Sequence, residues 1–251
     1  MINVTNLDEV KRKAKILLHF SPIPIENTGL VWHPFLKFDC LIDTENSKTR
    51  ENQETDDKII AAANILSVRK EEELKKIYEL YSSYIDKVTE YTDFICLINN
   101  KQQLPFFFKE TKGYVNKRDF SKFLGEMWTL IESPSHAPNV TNKQLVNYFK
   151  QADKEYVMNQ EELKLYDSLP DEITIYRGVE KNKKNSTKAL SWTLNKDKAK
   201  WFATRYEDKG TMFTAKIKKE DVLAYFNSRK EEEVVIDYNN LELISTEEVK
   251  K

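Results

Sequence analysis

The hydrophobic period of this chain changes once, at Glu172, and the change divides what its two halves can fold into. Before Glu172 apolar residues recur at helical spacing, and with only 5 glycines and 7 prolines in 251 residues few breakers interrupt them. Residues 7–20 read as an amphipathic helix stopped by Ser21-Pro22-Ile23-Pro24. Residues 29–42 are aromatic and apolar and suit an extended segment, whereas 43–57 are polar without an apolar face and read as a flexible loop. Residues 58–98 return to helical spacing, with Ile59, Ala62, Leu66, Leu74, Ile77, Leu80, Tyr84 and Val88 on recurring faces. Further helices are expected over 119–132, over 142–153 behind an N-cap at Thr141, and over 161–169 before Pro170. After Glu172 the runs are short and β-like: 173–177, 189–193, 211–217, 222–226, 233–236 and 241–244, with one helix over 196–206. The expected class is α+β, a helical N-terminal half followed by a strand-rich half.

Composition bounds the function classes. Forty basic and 41 acidic residues leave a net charge of -1, which argues against a dedicated nucleic-acid binder. Cys40 and Cys96 lie far apart with no CxxC or Cys/His pattern, and His19, His33 and His136 are scattered, so neither a disulfide framework nor a metal site is expected. No signal-peptide layout opens the sequence and no apolar run reaches membrane-spanning length, so the expectation is a cytoplasmic protein with no membrane partner.

Three short segments of the second half carry chemistry when taken together: Tyr176-Arg177-Gly178, Ser191-Trp192-Thr193, and Glu231-Glu232-Glu233 running into Val234-Val235-Ile236. Arg177 shares a strand face with Ile173 and Ile175, and an arginine ending an apolar face needs an anionic partner. A planar guanidinium suits a pyrophosphate through two parallel hydrogen bonds, and Gly178 permits a sharp turn beside a ligand. Ser191 and Thr193 point to one side of their strand and Trp192 to the other; the hydroxyls can orient a neighbouring carboxylate. On a strand Glu231 and Glu233 would face the same side, and two such carboxylates resist ionising together. That pairing suits chemistry at a sugar's anomeric carbon. Each segment alone has a plainer reading: an arginine paired with a surface carboxylate, a strand end whose hydroxyls satisfy the backbone, a solvated charge run.

In this order and spacing, the three segments resemble the R-S-E class of ADP-ribosyltransferases. That class carries an arginine on its first core strand, a serine-centred strand commonly reading Ser-Thr-Ser, and an E-x-E or Q-x-E motif entering a later strand. Trp192 and Thr193 depart from the usual second and third positions, and Ser191 aligns with the first serine. Residues 218–236 resemble the segment that leads through a mobile turn into the glutamates, and the likeness covers roughly residues 120–251. It implies, over 116–251, a catalytic domain built as a split β-sandwich with flanking helices, and leaves 1–115 as a mostly helical region without an assigned role.

It also implies NAD as co-substrate, bound around Arg177, Gly178, Ser191, Trp192, Thr193, Phe202 and Glu233. Ser191 would hold Glu233, which would bind the nicotinamide-ribose 2′-hydroxyl and stabilise an oxocarbenium-like transition state. Glu231 would meet the acceptor, and a glutamate there implies a protein arginine. Trp192, Phe202 and Tyr225 would pack or stack near nicotinamide or acceptor, with core packing the plainer role for each, and neutral nicotinamide would leave without a metal. The lysine- and asparagine-rich composition resembles bacteriophage or prophage transferases that modify bacterial host proteins, acting in the host cytoplasm. Two alternatives stand beside this one: the same fold sending ADP-ribose to water or to a nucleic acid, and a non-catalytic inhibitor that binds a host complex.

Overall fold

A computed structural model of the chain describes residues 2–19, 23–25, 30–32, 71–98, 101–131, 139–180 and 186–251. His33, Cys40, His136, the loop expected over 43–57 and the helical spacing over 58–70 lie outside the described residues. The chain divides into two compact units: Met1–Phe123 with Leu130–Val140, and Leu124–Thr129 with Thr141–Lys251.

The first unit holds α1 (Leu7–His19), a two-stranded antiparallel pair of β1 (Ile23–Ile25) and β2 (Leu30–Trp32), α2 (Glu71–Lys87), α3 (Asp93–Leu97), α4 (Leu104–Thr111) and most of α5 (Lys117–Leu130). The aromatic run starting at Leu104 is helical because Pro105 falls in the first turn, where a missing N–H costs no hydrogen bond. Asn116 starts α5 by accepting the Asp119 N–H at 2.8 Å. The core is aromatic: ring centroids lie 4.6 Å apart for Tyr91 and Phe123, 4.7 Å for Phe108 and Phe120, and 4.9 Å for Phe94 and Phe107.

The second unit begins with α6 (Asn142–Gln151), α7 (Lys154–Val157) and α8 (Gln160–Ser168). Thr141 with Gln144, and Asn159 with Glu162, form reciprocal capping boxes at the starts of α6 and α8. There follow β3 (Glu172–Glu180), β4 (Ser191–Thr193), α9 (Lys196–Thr204), β5 (Lys209–Lys218), β6 (Val222–Phe226), β7 (Glu233–Ile236) and β8 (Glu242–Lys250). The six strands form one antiparallel sheet in the order β6-β7-β4-β3-β5-β8, so the α+β class holds. β3 and β5 run in register over nine pairs, from Glu172↔Lys218 to Glu180↔Gly210, whereas β3 and β4 meet at Tyr176↔Thr193 alone. Between β4 and β3 the sheet is therefore at its weakest. β8 extends well past the expected 241–244; it is an exposed edge strand whose polar residues carry no period of burial.

Two glycines let α9 lie directly on the sheet. A Cβ at Gly178 would sit 1.7 Å from the Ala199 carbonyl oxygen, and one at Gly210 would sit 1.8 Å from that of Ala203. Any side chain at either position would push the helix away. Gly178 thus serves close packing in β3; the sharp turn expected there is absent, since the strand continues to Glu180.

Candidate active site

Strand β7 is Glu233 followed by three strong β-formers, all buried, and Glu233 itself is 6% exposed. A carboxylate in such a place must be satisfied by hydrogen bonds or neutralised. Trp128, near the end of α5, donates its indole N–H to Glu233 Oε1 at 3.1 Å. The Ser191 side chain also hydrogen-bonds the carboxylate, and the Arg229 guanidinium lies 3.6 Å from Oε2. Burial nevertheless wins and raises the pKa of Glu233 above the ordinary carboxylate value, with Glu231 adding to the rise and Ser191, Arg229 and Trp128 opposing it.

Ser191 reaches Glu233 through sheet register. β4 pairs with β7 as Ser191↔Val235, Trp192↔Val234 and Thr193↔Glu233, so Ser191, Thr193 and Glu233 share a face and Trp192 takes the other. Trp192 is buried there and donates its indole N–H to the Ala189 carbonyl at 3.0 Å. Tyr225 pairs with Val234 across β6 and so also lies on the face opposite Glu233. Thr193 is spent locally: its hydroxyl donates to the Glu231 carbonyl at 2.6 Å and accepts the Asn195 N–H at 3.0 Å. Trp192 and Tyr225 thus take the packing role, and the Thr193 hydroxyl holds the turn before β7.

Arg177 fills the place where β3 and β4 part. The Leu190 carbonyl accepts from Ile236 of β7 and the Leu194 N–H donates to the Glu232 carbonyl just before β7, so the odd-numbered residues of β4 direct their backbone groups towards β3. The Ser191 carbonyl, left without a ladder partner, accepts a hydrogen bond from Arg177 Nη1. Arg177 Nε is buried and has no partner. Desolvation draws the guanidinium pKa down to about 10, with Glu233 opposing the fall, so the group stays charged at neutral pH. Arg177, Ser191 and Glu233 are thereby gathered at one junction of three strands.

The strand does not extend back to Glu231. Glu232 has φ 47, in the left-handed region, so simple alternation between Glu231 and Glu233 fails. Asn195 Nδ2 donates to Glu232 Oε1 at 3.1 Å, the Glu232 N–H donates to Asn227 Oδ1 at 3.1 Å, and the Leu194 N–H donates to the Glu232 carbonyl at 3.0 Å. These bonds hold the middle glutamate and leave its neighbours free for other partners. Glu231 pairs with Arg229, whose Nε lies 3.2 Å from Oε2. Phe202 lies on α9 beside Trp201, with centroids 5.0 Å apart, and under the Arg205 guanidinium.

Sequence reasoning missed Trp128 and Arg229. Trp128 stands 105 residues from Glu233, and no local pattern links them. Arg229 was visible, two residues before Glu231, but only the reversed turn brings it back onto both glutamates. Among the described residues no group of three or more His, Cys, Asp or Glu side chains could hold a metal ion, and no helix is long and apolar enough to cross a membrane. No protein-family model matches this sequence, and no curated protein or solved structure matches it significantly.

Proposed function

We propose that this protein transfers ADP-ribose from NAD to the guanidinium of a protein arginine, with Arg177, Ser191, Glu233 and Glu231 as its working residues. The observation that carries the reading is the junction itself. A desolvated carboxylate held by Ser191 and Trp128 lies in the electrostatic reach of a half-buried arginine whose buried Nε–H is unspent. An orphaned buried donor beside a deliberately buried carboxylate is costly, and such cost is characteristic of functional sites. The single bridge between β4 and β3 also suits a split β-sandwich, in which β6-β7-β4 and β3-β5-β8 are the two halves.

NAD supplies a glycosidic bond from ribose C1′ to the nicotinamide nitrogen, whose cleavage releases neutral nicotinamide with the bonding pair. Arg177 binds the phosphates, its free Nε–H being one of the donors. Glu233, in its carboxylate form and fixed by two hydrogen bonds, accepts from the 2′-hydroxyl and opposes the positive charge that grows on the sugar. Glu231 orients the acceptor guanidinium; an acceptor nitrogen bonds to C1′ and the proton it loses passes to Glu231. The acceptor belongs to a bacterial host protein if the chain is phage-encoded, and the reaction takes place in the cytoplasm.

The test is incubation of wild type and Glu233→Ala with labelled NAD and bacterial lysate, followed by mass-spectrometric site mapping. Wild type should label protein arginines and the variant should lose at least about a hundredfold in rate, the usual scale for removing a transition-state charge partner. Free ADP-ribose without labelled protein would favour hydrolysis, and labelled nucleic acid would move the acceptor to that class.

A further inference from the structure

One guanidinium already lies against both glutamates of the proposed acceptor subsite. Arg229 Nε is 3.2 Å from Glu231 Oε2, and Arg229 Nη2 is 3.6 Å from Glu233 Oε2. The turn that brings it there holds two non-glycine residues in the left-handed region, Lys230 at φ 56 and Glu232 at φ 47. A Cβ makes this conformation unfavourable at both positions, so propensity does not make this turn. The Lys230 N–H to the Asn227 carbonyl at 2.9 Å, Asn227 with Glu232, Asn195 with Glu232, and Thr193 with the Glu231 carbonyl hold it in place. Behind them the buried Glu162 carboxylate accepts the Asn227 N–H at 2.9 Å. None of these bonds uses the Arg229 side chain. That side chain is 38% exposed, so it can swing into water at little cost.

An acceptor arginine would bring the same planar group to the same two carboxylates. We propose that Arg229 is an internal occupant of the acceptor subsite, displaced when an acceptor guanidinium binds. This inference rests on the transferase reading above. While the subsite is empty, Arg229 keeps the charges of Glu231 and Glu233 apart. When an acceptor arrives it is a competitor, and it sharpens selection: a planar fork can span two carboxylates, and a lysine ammonium, a single point charge, cannot replace it on equal terms.

The test compares wild type, Arg229→Lys and Arg229→Gln, with agmatine as the guanidine probe. Two quantities are read: the KM for agmatine in NAD-dependent transfer, and its Kd by calorimetry without NAD. Both should fall about two- to fivefold in Arg229→Gln, the scale of one partly exposed ion pair, with Arg229→Lys between. Unchanged or weaker agmatine binding by Arg229→Gln overturns the inference. So does an upward shift of the acidic limb of the pH–rate profile with agmatine affinity unchanged, since that outcome makes Arg229 a counter-ion of Glu233 and nothing more. A wild type that cleaves no NAD removes the transferase reading and this inference with it, whereas an active wild type with unmoved agmatine Kd removes the inference alone.

Discussion

The first unit buries rings and the second buries charges. Around Tyr91, Phe94, Phe107, Phe108, Phe120 and Phe123 the buried polar side chains among the described residues of the first unit are Gln103, Thr111 and Ser121, none of them ionisable. The second unit buries Glu162, Glu233 and Asp237 and sequesters the Arg177 guanidinium. Glu162 and Asp237 are spent on structure: one caps α8 and holds Asn227, the other pairs with Lys150 at 2.5 Å and accepts the Asn239 N–H at 3.1 Å. Glu233 differs from both. Its pKa is raised, so burial costs it more than its partners return. A group held at a loss to stability is the mark of a site selected for work, and the contrast with a ring-filled core makes it measurable.

The contrast predicts opposite responses to substitution. Phe107→Ala should empty part of the aromatic core and cost about 3–5 kcal/mol in denaturant unfolding of the first unit; a loss under 1 kcal/mol would mean that the rings do not hold that unit together. In the second unit, Trp128→Phe keeps a ring against Phe149, now 5.0 Å away by centroid, but removes the N–H that Glu233 accepts. The rate of NAD cleavage should fall about tenfold, on the scale of a hydrogen bond to a charged group. Because that bond favours the ionised carboxylate, the acidic limb of the pH–rate profile should also move to higher pH. A rate loss without that movement would assign Trp128 to packing alone.

Glu233→Gln should have the smallest effect on stability, and of the opposite sign. Between the unfolded value near 4.5 and the raised folded value, the folded protein holds a proton that the unfolded chain releases, so stability falls as pH rises through that window. The cost is complete above the window. Glutamine removes it, so the variant should gain about 1 kcal/mol at neutral pH, the usual return for relieving a strained functional group, and nothing below the ordinary carboxylate range. Thermal unfolding across that pH range measures the difference; a loss of stability at neutral pH would mean that Glu233 is a structural ion pair.

What could be seen in sequence followed from local physics. Val222–Phe226 and Glu233–Ile236 were bounded by their β-forming runs, and Thr141 announced the helix that it caps. The edge strand Glu242–Lys250 exceeded its expected length because partner hydrogen bonds from β5, not burial, define it. In the site, the order of Arg177, Ser191 and Glu233 along the chain was legible, and their register across β4 and β7 was not. Pairing with Val234 turns Trp192 and Tyr225 to the face opposite Glu233, a placement that residue type alone does not give. The strand reading of Glu231 failed at Glu232, whose left-handed backbone is set by Asn195 and Asn227, residues no short pattern would join to it.

The most direct measurement is nicotinamide release from NAD by wild type and by Glu233→Gln, followed chromatographically at neutral pH with agmatine present. The wild type should release nicotinamide and form ADP-ribosyl-agmatine, and the variant should lose at least about a hundredfold in rate while its fold is retained. Equal rates in the two proteins, or no nicotinamide from either, would contradict the transferase reading.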